Sequence, residues 1–412
     1  MISSNPVRGA RDITPDEMQL RDRIENTVLE IYKQHGFYHI ETPAIENLDL
    51  LLASQGGDNV KMLFTILKRG EKFKPTENST VEDLCDMGLR FDLTLPLSRF
   101  YSNQAHLLES PFKAIQIGDV YRAERPQRGR FRSFKQMDID IIGDETHHAE
   151  IELIETTAKA LEAVGFKDFV IKINDRKLLS AFIVSKGFKE EDIESICISL
   201  DKLDKIGQDG VVSELSEKGY EPELVKTFVQ EVGAVTLESL ADLKPNAVEE
   251  LKDILDVIAD LSQGAYHITF DFTLIRGMGY YTGPIFEVAY GPYGYSIAGG
   301  GRYDDMIGKY SKKSEPAVGF SIGFERIVQI LMEEQKEGFD DQQRLVVFYN
   351  PKDHVLNEVI PFADTLREKG FIVNIVAQKK KFGRQIQYYQ DRNYAGMTVF
   401  GRDGTIEYFN HG

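Results

Sequence analysis

The stretch Lys113–Gly143, KAIQIGDVYRAERPQRGRFRSFKQMDIDIIG, leaves this chain little choice of local structure. Two alternating runs flank a polar middle punctuated by Pro126 and Gly129, which is the pattern of two strands joined by a loop. Successive strand side chains point to opposite faces. Ile115, Ile117 and Tyr121 therefore share one face of the first strand, and Gln116, Gly118 and Arg122 the other. On the second strand Met137, Ile139 and Ile141 oppose Phe134, Gln136, Asp138 and Asp140. One face can bury while the other presents chemistry.

Arg122, Arg125, Arg128, Arg130 and Arg132 crowd the loop and its borders. Guanidinium forks match phosphate oxygens bidentately, so the loop suits a nucleoside triphosphate, a nucleic-acid backbone, or both. A solvated charged hairpin would explain the arginines alone. The carboxylates and the amide on the adjoining face point instead to a site.

At 412 residues the chain exceeds one ordinary core, so about two or three domains are expected. A net charge of −17 argues against nucleic-acid binding through bulk charge and confines any such contact to local basic surfaces. The hairpin is one, and Lys379, Lys380, Lys381 and Arg384 form another. Cys85 and Cys197 sit in no metal-ligand or redox spacing. No apolar run is long enough to span a bilayer, and no secretory leader opens the chain, so a cytoplasmic protein without membrane contact is expected.

Thr14 followed by Pro15 predicts a helix from there to about Gln34, with Leu20, Ile24, Val28 and Ile31 as its buried stripe. HGFYHIETPAIE reads as extended, with Pro43 marking an edge or interface. LRFDLTLPLSRFY reads as a strand from Leu89, with Leu89, Phe91, Leu93 and Leu95 on one face and Arg90, Asp92 and Thr94 on the other. Between them, residues 68–87 read as an irregular, mobile loop able to close over a ligand. After the strand DFVIKIND, residues 176–261 are almost wholly helical. Strand chemistry resumes at Tyr266. In SIAGGGRYDD, Gly299–Gly301 strip side chains from the backbone and permit close approach of a ligand. In PAVGFSIGFER, a strand passes into a helix near Glu325, which puts Arg326 at a junction where ligand sites often lie. Beyond about residue 343, strands and helices alternate as in a small α/β domain with parallel strands.

These residues offer arginines for phosphate, carboxylates, an amide and tyrosines. No nucleophilic triad, His/Cys metal cluster or Walker-type loop accompanies them. That set fits phosphoryl or nucleotidyl transfer to a small polar molecule, driven by positioning and charge stabilisation.

The chain resembles the histidyl-tRNA synthetases, a class II aminoacyl-tRNA synthetase family. HGFYHIETP resembles the class motif at the dimer interface, the arginine hairpin the second class motif, and GFSIGFER the third. LIRGMGYYTG and AGGGRYDD resemble the two histidine-specific motifs and are the more discriminating. Two departures stand out. The family often has Asp where Gly279 stands, and after GMTVFG only RDGTIEYFNHG remains.

The resemblance implies an α+β fold: an antiparallel sheet with flanking helices, a helical insertion, and a C-terminal α/β domain like those that bind anticodons. The implied boundaries are 1–173 and 265–335 for the catalytic body, 174–264 for the insertion, 336–343 for a linker and 344–412 for the last domain. It implies histidine–tRNA ligase activity: ATP activates L-histidine to histidyl-adenylate, which is transferred to tRNA(His), most naturally in a homodimer. Arg122 and Arg276 would serve catalysis at the α-phosphate. Arg122, Glu124, Arg130, Phe134 and Arg326 would bind ATP, with Phe134 and Arg326 stacking on adenine. Asp92, Thr94, Gln136, Asp140, Arg276, Tyr280, Tyr281 and Tyr303 would bind histidine. Gln127, Arg128, Arg132, Lys380 and Arg384 would contact tRNA. Mg²⁺ would arrive on the ATP phosphates, with no protein side-chain ligand set assigned.

Two rivals remain open. A catalytically idle paralogue would bind histidine as the regulatory subunit of ATP phosphoribosyltransferase, but such paralogues usually lose the arginine at Arg276 and the last domain. A ligase could also pass activated histidine to something other than tRNA.

Overall fold

The computed structural model describes residues 4–52, 62–125, 131–275, 281–291, 295–310, 313–334, 343–402 and 404–409. The chain divides into two units, Met1–Glu333 and Glu334–Gly412. Its strands in chain order are β1 (Tyr38–His39), β2 (Ile45–Asn47), β3 (Thr65–Leu67), β4 (Cys85–Leu89), β5 (Phe112–Tyr121), β6 (Ser133–Ile142), β7 (Val170–Asp175), β8 (His267–Phe270), β9 (Pro284–Tyr290), β10 (Tyr295–Arg302), β11 (Ala317–Ile322), β12 (Arg344–Tyr349), β13 (Ile372–Ala377), β14 (Gly396–Val399) and β15 (Glu407–Tyr408).

The first unit is built on an eight-stranded sheet of order β1-β5-β6-β11-β10-β9-β7-β8. Every pairing from β5 to β7 is antiparallel, and a parallel strand closes each edge. The α+β class expected from the sequence is the class observed. The hairpin pairs along its full length, from Phe112 opposite Ile142 to Tyr121 opposite Ser133. Met137, Ile139 and Ile141 are fully buried, and the helices His148–Ala163 and Phe324–Glu333 pack on β6. The opposite face is covered too: Gln116, Asp138 and Asp140 are 2%, 5% and 2% exposed. The polar face of the hairpin thus belongs to the interior rather than to solvent.

The helix Pro15–Gln34 starts and stops where the pattern places it. Thr14 is extended at its N-cap position, but its side chain caps no amide, and Tyr32 rather than Ile31 completes the buried stripe with Leu20, Ile24 and Val28.

Two expectations need correction. The run from Leu89 is not a strand: β4 ends at Leu89, and Thr94–Gln104 is a helix. The alternation there comes from a strand end, a turn and a helix start that happen to bury Phe91, Leu93 and Leu95. Pro96 is compatible because the first turn of a helix leaves its amides without intrahelical partners, and Asp92 accepts the Leu95 amide at 3.1 Å. Residues 68–87 also carry structure of their own. Gly70–Lys72 form a 3₁₀ turn, Val81–Leu84 a short helix with a Thr80/Asp83 capping box, and β4 begins at Cys85. β4 lies between β2 and β3 in a separate three-stranded sheet.

Between the neighbouring strands β7 and β8 the chain forms the helices Arg176–Ser185, Ile193–Leu200, Leu203–Glu217, Pro222–Val232 and Pro245–Ser262. The second unit has the order β13-β12-β14-β15, with β12 parallel to β13 and β14 and with β15 antiparallel to β14. The helices Leu356–Arg367 and Phe382–Gln390 supply its crossovers.

Candidate active site

A cavity of about 190 Å³ opens on the polar face of the sheet, lined among others by Asp92, Thr94, Arg122, Gln136, Asp138, Asp140, Tyr281, Gly299, Gly300 and Tyr303. Strand geometry explains much of this lining. Gln136, Asp138 and Asp140 alternate on β6 and sit opposite Gly118, Gln116 and Ala114 of β5. On the other side of β6, Asp138 faces Ser321 and Asp140 faces Gly319.

Within it, the Tyr303 hydroxyl donates to Asp140 Oδ1 at 2.6 Å. Asp140 Oδ2 is buried with no hydrogen-bond partner among the described residues. An ideal Cβ on Gly319 would lie 2.1 Å from Asp140 Oδ1, so only glycine leaves room for that carboxylate. A Cβ on Gly300 would lie 2.0 Å from the Gly319 carbonyl oxygen. The glycine run therefore allows β10 to approach β11 closely, while Gly299 and Gly300 leave the cavity open beside them.

Toward the hairpin loop, Gln136 Nε2 donates to the Ser321 hydroxyl at 3.0 Å, and its Oε1 is a second buried acceptor without a partner among the described residues. Asp92 reaches the cavity from the turn before the Thr94–Gln104 helix rather than from a strand. Both of its neighbours are held to the hairpin: Arg122 Nε donates to the Phe91 carbonyl at 3.0 Å, and Gln116 Nε2 to the Leu93 carbonyl at 2.8 Å. Thr42 in turn donates to Gln116 at 3.0 Å. Parity alone did not mark Gln116 as a residue that positions a site loop, because its partner is a backbone carbonyl distant in sequence.

The electrostatics favour a cationic guest. Burial pushes the Asp140 carboxyl up to about 7, against the pull of the Tyr303 hydrogen bond and with a further push from Asp92. Burial likewise raises Asp92 to about 6, opposed by the Leu95 amide and Arg122. Asp138 is driven well above the usual carboxylate range by burial and then by the charge of Asp140. Asp138 joins the lining although it is not among the expected site residues; its position between Gln136 and Asp140 on one strand face is the signal in the sequence.

Phe134 lies beyond Gln136 on the same strand face, with the Arg122 guanidinium 5.0 Å from its ring centroid. Arg326 lies in the first turn of the Phe324–Glu333 helix and does not line the cavity. Glu124 is half-buried, and its carbonyl accepts from Arg132 Nε at 3.2 Å. Arg132 also donates to the Arg8 carbonyl at 3.4 Å, so its guanidinium braces the base of the loop. Lys380 and Arg384 are exposed in the second unit. Arg276 and Tyr280, with Gln127, Arg128 and Arg130, lie outside the described residues. Arg302, beside Tyr303, serves the fold instead: buried, it grips the fully buried Glu150 with two bonds of 2.6 Å. Among the described residues no group of three or more His, Cys, Asp or Glu side chains could hold a metal ion.

The antiparallel sheet, the arginine hairpin and the carboxylate-lined cavity form the body that resemblance to the class II aminoacyl-tRNA synthetases leads one to expect. Residues 9–327 match the family model described as histidyl-tRNA synthetase. A histidine–tRNA ligase of Leifsonia xyli is 43% identical over 84% of this chain and 84% of its own. The crystal structure of a histidyl-tRNA synthetase from a Nostoc species superimposes with a TM-score of 0.79 at 27% identity, covering 98% of this chain and 93% of that one. The chain belongs to the histidyl-tRNA synthetase family. A Bacillus halodurans structure described as an ATP phosphoribosyltransferase regulatory subunit/histidyl-tRNA synthetase superimposes with a TM-score of 0.78 over 97% of this chain and 98% of that one. At 21% identity that likeness shows the fold alone and does not favour the regulatory reading.

Proposed function

We propose that the chain joins L-histidine to the 3′ end of tRNA(His), first forming histidyl-adenylate from ATP with release of pyrophosphate. The observation that carries this reading is the buried Asp140, with one oxygen on the Tyr303 hydroxyl and the other open to a partner. An imidazole N–H satisfies that acceptor. An amino acid lacking such a donor leaves it unpaired, at a cost of about 1–3 kcal/mol or more for a charged group.

Asp92, Thr94 and Gln136 hold the α-ammonium, and Tyr281 completes the imidazole pocket with Asp140 and Tyr303. Arg276 grips the histidine carboxylate and, with Arg122, the α-phosphate, and Tyr280 contributes to histidine binding. A carboxylate oxygen forms a bond to the α-phosphorus as the bond from that phosphorus to the bridging oxygen of pyrophosphate breaks. The arginines stabilise the charge that develops there. Phe134 and Arg326 stack on adenine, and Arg130 and Glu124 contribute to ATP binding. Bound with ATP, Mg²⁺ would be held chiefly by the phosphate oxygens and would offset their charge, and Glu124 would be the side chain to supply a further oxygen donor.

The insertion, residues 174–264, braces the catalytic body formed by 1–173 and 265–335. Its helices, residues 176–262, carry nineteen acidic and ten basic residues, so bulk charge does not draw a phosphate backbone to them. Gln127, Arg128 and Arg132 take part in tRNA binding. After a linker at 336–343, residues 344–412 read the anticodon through Lys380 and Arg384, whose exposure supports such a contact. Tyr38 and Ile45, 51% and 50% exposed beside Pro43, support a homodimer through that segment. No helix among the described residues is long and apolar enough to cross a membrane, and the protein acts in the cytoplasm.

Histidine-dependent ATP–pyrophosphate exchange, with other amino acids as controls and a charging assay beside it, tests the reading. Exchange with histidine alone plus charging is expected. Exchange without charging would point to another acceptor, and histidine binding without exchange to the regulatory paralogue.

A further inference from the structure

Two elements carry the proposed adenine-stacking residues: β6 brings Phe134, and the Phe324–Glu333 helix brings Arg326. Strand pairing does not join them directly, so something must set their separation. We propose that Glu325 is a positioning residue that does so, held from behind by Arg21. This rests on the reading that Phe134 and Arg326 bind ATP.

Glu325 directly precedes Arg326, and its Oε1 accepts the backbone amide of Lys135, the residue after Phe134, at 3.4 Å. One carboxylate, carried by the neighbour of Arg326, thus touches the neighbour of Phe134. It is fixed by a bidentate grip: Arg21 Nη2 donates to Oε1 at 2.7 Å and Nη1 to Oε2 at 2.8 Å. The two side chains are only 8% and 11% exposed. Arg11, from the lead-in segment, adds a bond to Glu325 at 3.2 Å and pairs with Glu17 at 2.5 Å. The Arg21 guanidinium and the Lys135 ammonium also lie 4.7 and 5.5 Å from the Phe324 ring centroid. Burial pushes the Glu325 carboxyl up, but the hydrogen bonds and charge of Arg21 outweigh it and hold the group below its usual range. It stays a charged acceptor.

A fold staple would also use such a pair, but a staple supports histidine and ATP alike. A spacer between Phe134 and Arg326 acts on the nucleotide, because stacking depends on the gap between two faces.

The test uses the full chain in histidine-dependent ATP–pyrophosphate exchange. Glu325→Ala is expected to raise KM for ATP on the order of ten-fold, since misplacement by a fraction of an ångström is costly in such sites, with KM for histidine within about two-fold. Glu325→Gln keeps an oxygen for the Lys135 amide and should raise KM for ATP about three-fold; it decides the matter if the alanine variant does not fold. Unchanged KM for ATP in folded variants, or equal rises in both KM values, overturns the proposal. Phe134→Ala and Arg326→Ala run alongside: if neither alters KM for ATP, the stacking reading fails and takes this one with it. If they raise KM and the Glu325 variants do not, the positioning role alone is overturned.

Discussion

The Tyr303 hydroxyl stands 2.6 Å from Asp140 Oδ1 and leaves the other carboxylate oxygen buried without a partner among the described residues. This pair places a directed acceptor in the cavity, and on the proposed reading amino-acid selection turns on it.

Replacing Asp140 with asparagine exchanges a charged acceptor for a weaker one. Hydrogen bonds to charged groups contribute about 1.5–3 kcal/mol, so KM for histidine should rise roughly ten- to a hundred-fold with the fold intact. Pyrophosphate exchange against histidine concentration measures it; an unchanged KM would remove Asp140 from recognition.

Gly319→Ala would push a methyl to 2.1 Å from Asp140 Oδ1 and 3.2 Å from Tyr303 Cε1. Overpacking of this kind costs about 1–3 kcal/mol. The variant should lose histidine binding more than it loses stability, because the carboxylate can swing away while the sheet stays paired. Calorimetric titration with histidine, set against a urea melt, separates the two.

The carboxylates of the cavity also make a pH prediction. Asp140 and Asp92 are raised to about 7 and about 6 by burial, and Asp138 well beyond its usual range. The folded state therefore keeps protons that the unfolded chain releases near pH 4. Their contribution is present below that pH and lost as pH rises through about 6–7. Asp140→Asn should gain stability relative to the parent between pH 4.5 and 7.5, by up to about 4 kcal/mol. A difference in urea midpoint that stays flat with pH would contradict it.

Arg302 should behave otherwise than its neighbour Tyr303. Cutting it to methionine leaves Glu150 charged and buried, a loss of about 3–5 kcal/mol, while Glu150→Gln should be milder. In variants that fold, KM for histidine should not move. A selective rise in KM would place Arg302 in the site.

The two units predict a separable function. A chain ending at residue 334 should retain histidine-dependent exchange and lose charging, and Lys380→Glu with Arg384→Glu should weaken tRNA binding in the full chain. Charging by the truncated chain would count against an anticodon role for the second unit.

The hairpin was legible in detail because a period of two forces every side chain to one face or the other, whichever strands lie alongside. The Pro15–Gln34 helix was legible because a period near 3.6 and a leading proline describe it locally. At Leu89–Tyr101 the same reasoning failed. Alternation of Phe91, Leu93 and Leu95 fits a strand, yet the backbone turns after β4, Asp92 accepts the Leu95 amide and a helix begins. A short alternating run cannot tell a strand from a turn that buries every second residue. Asp92 and Thr94 still reach the cavity, by another route.

By itself, then, the sequence determined the strand faces, the arginine loop, the α+β class and the family, all of which rest on local spacing or local identity. Only the tertiary structure decided that both faces of the sheet are covered, which makes Asp138 and Asp140 an interior pair. Only it revealed that Gly319 exists for Asp140, that Arg302 belongs to Glu150, and that Arg21 meets Glu325 across 304 positions. Burial and long-range pairing depend on which elements come to lie together, and the spacing of residues along a chain does not contain that.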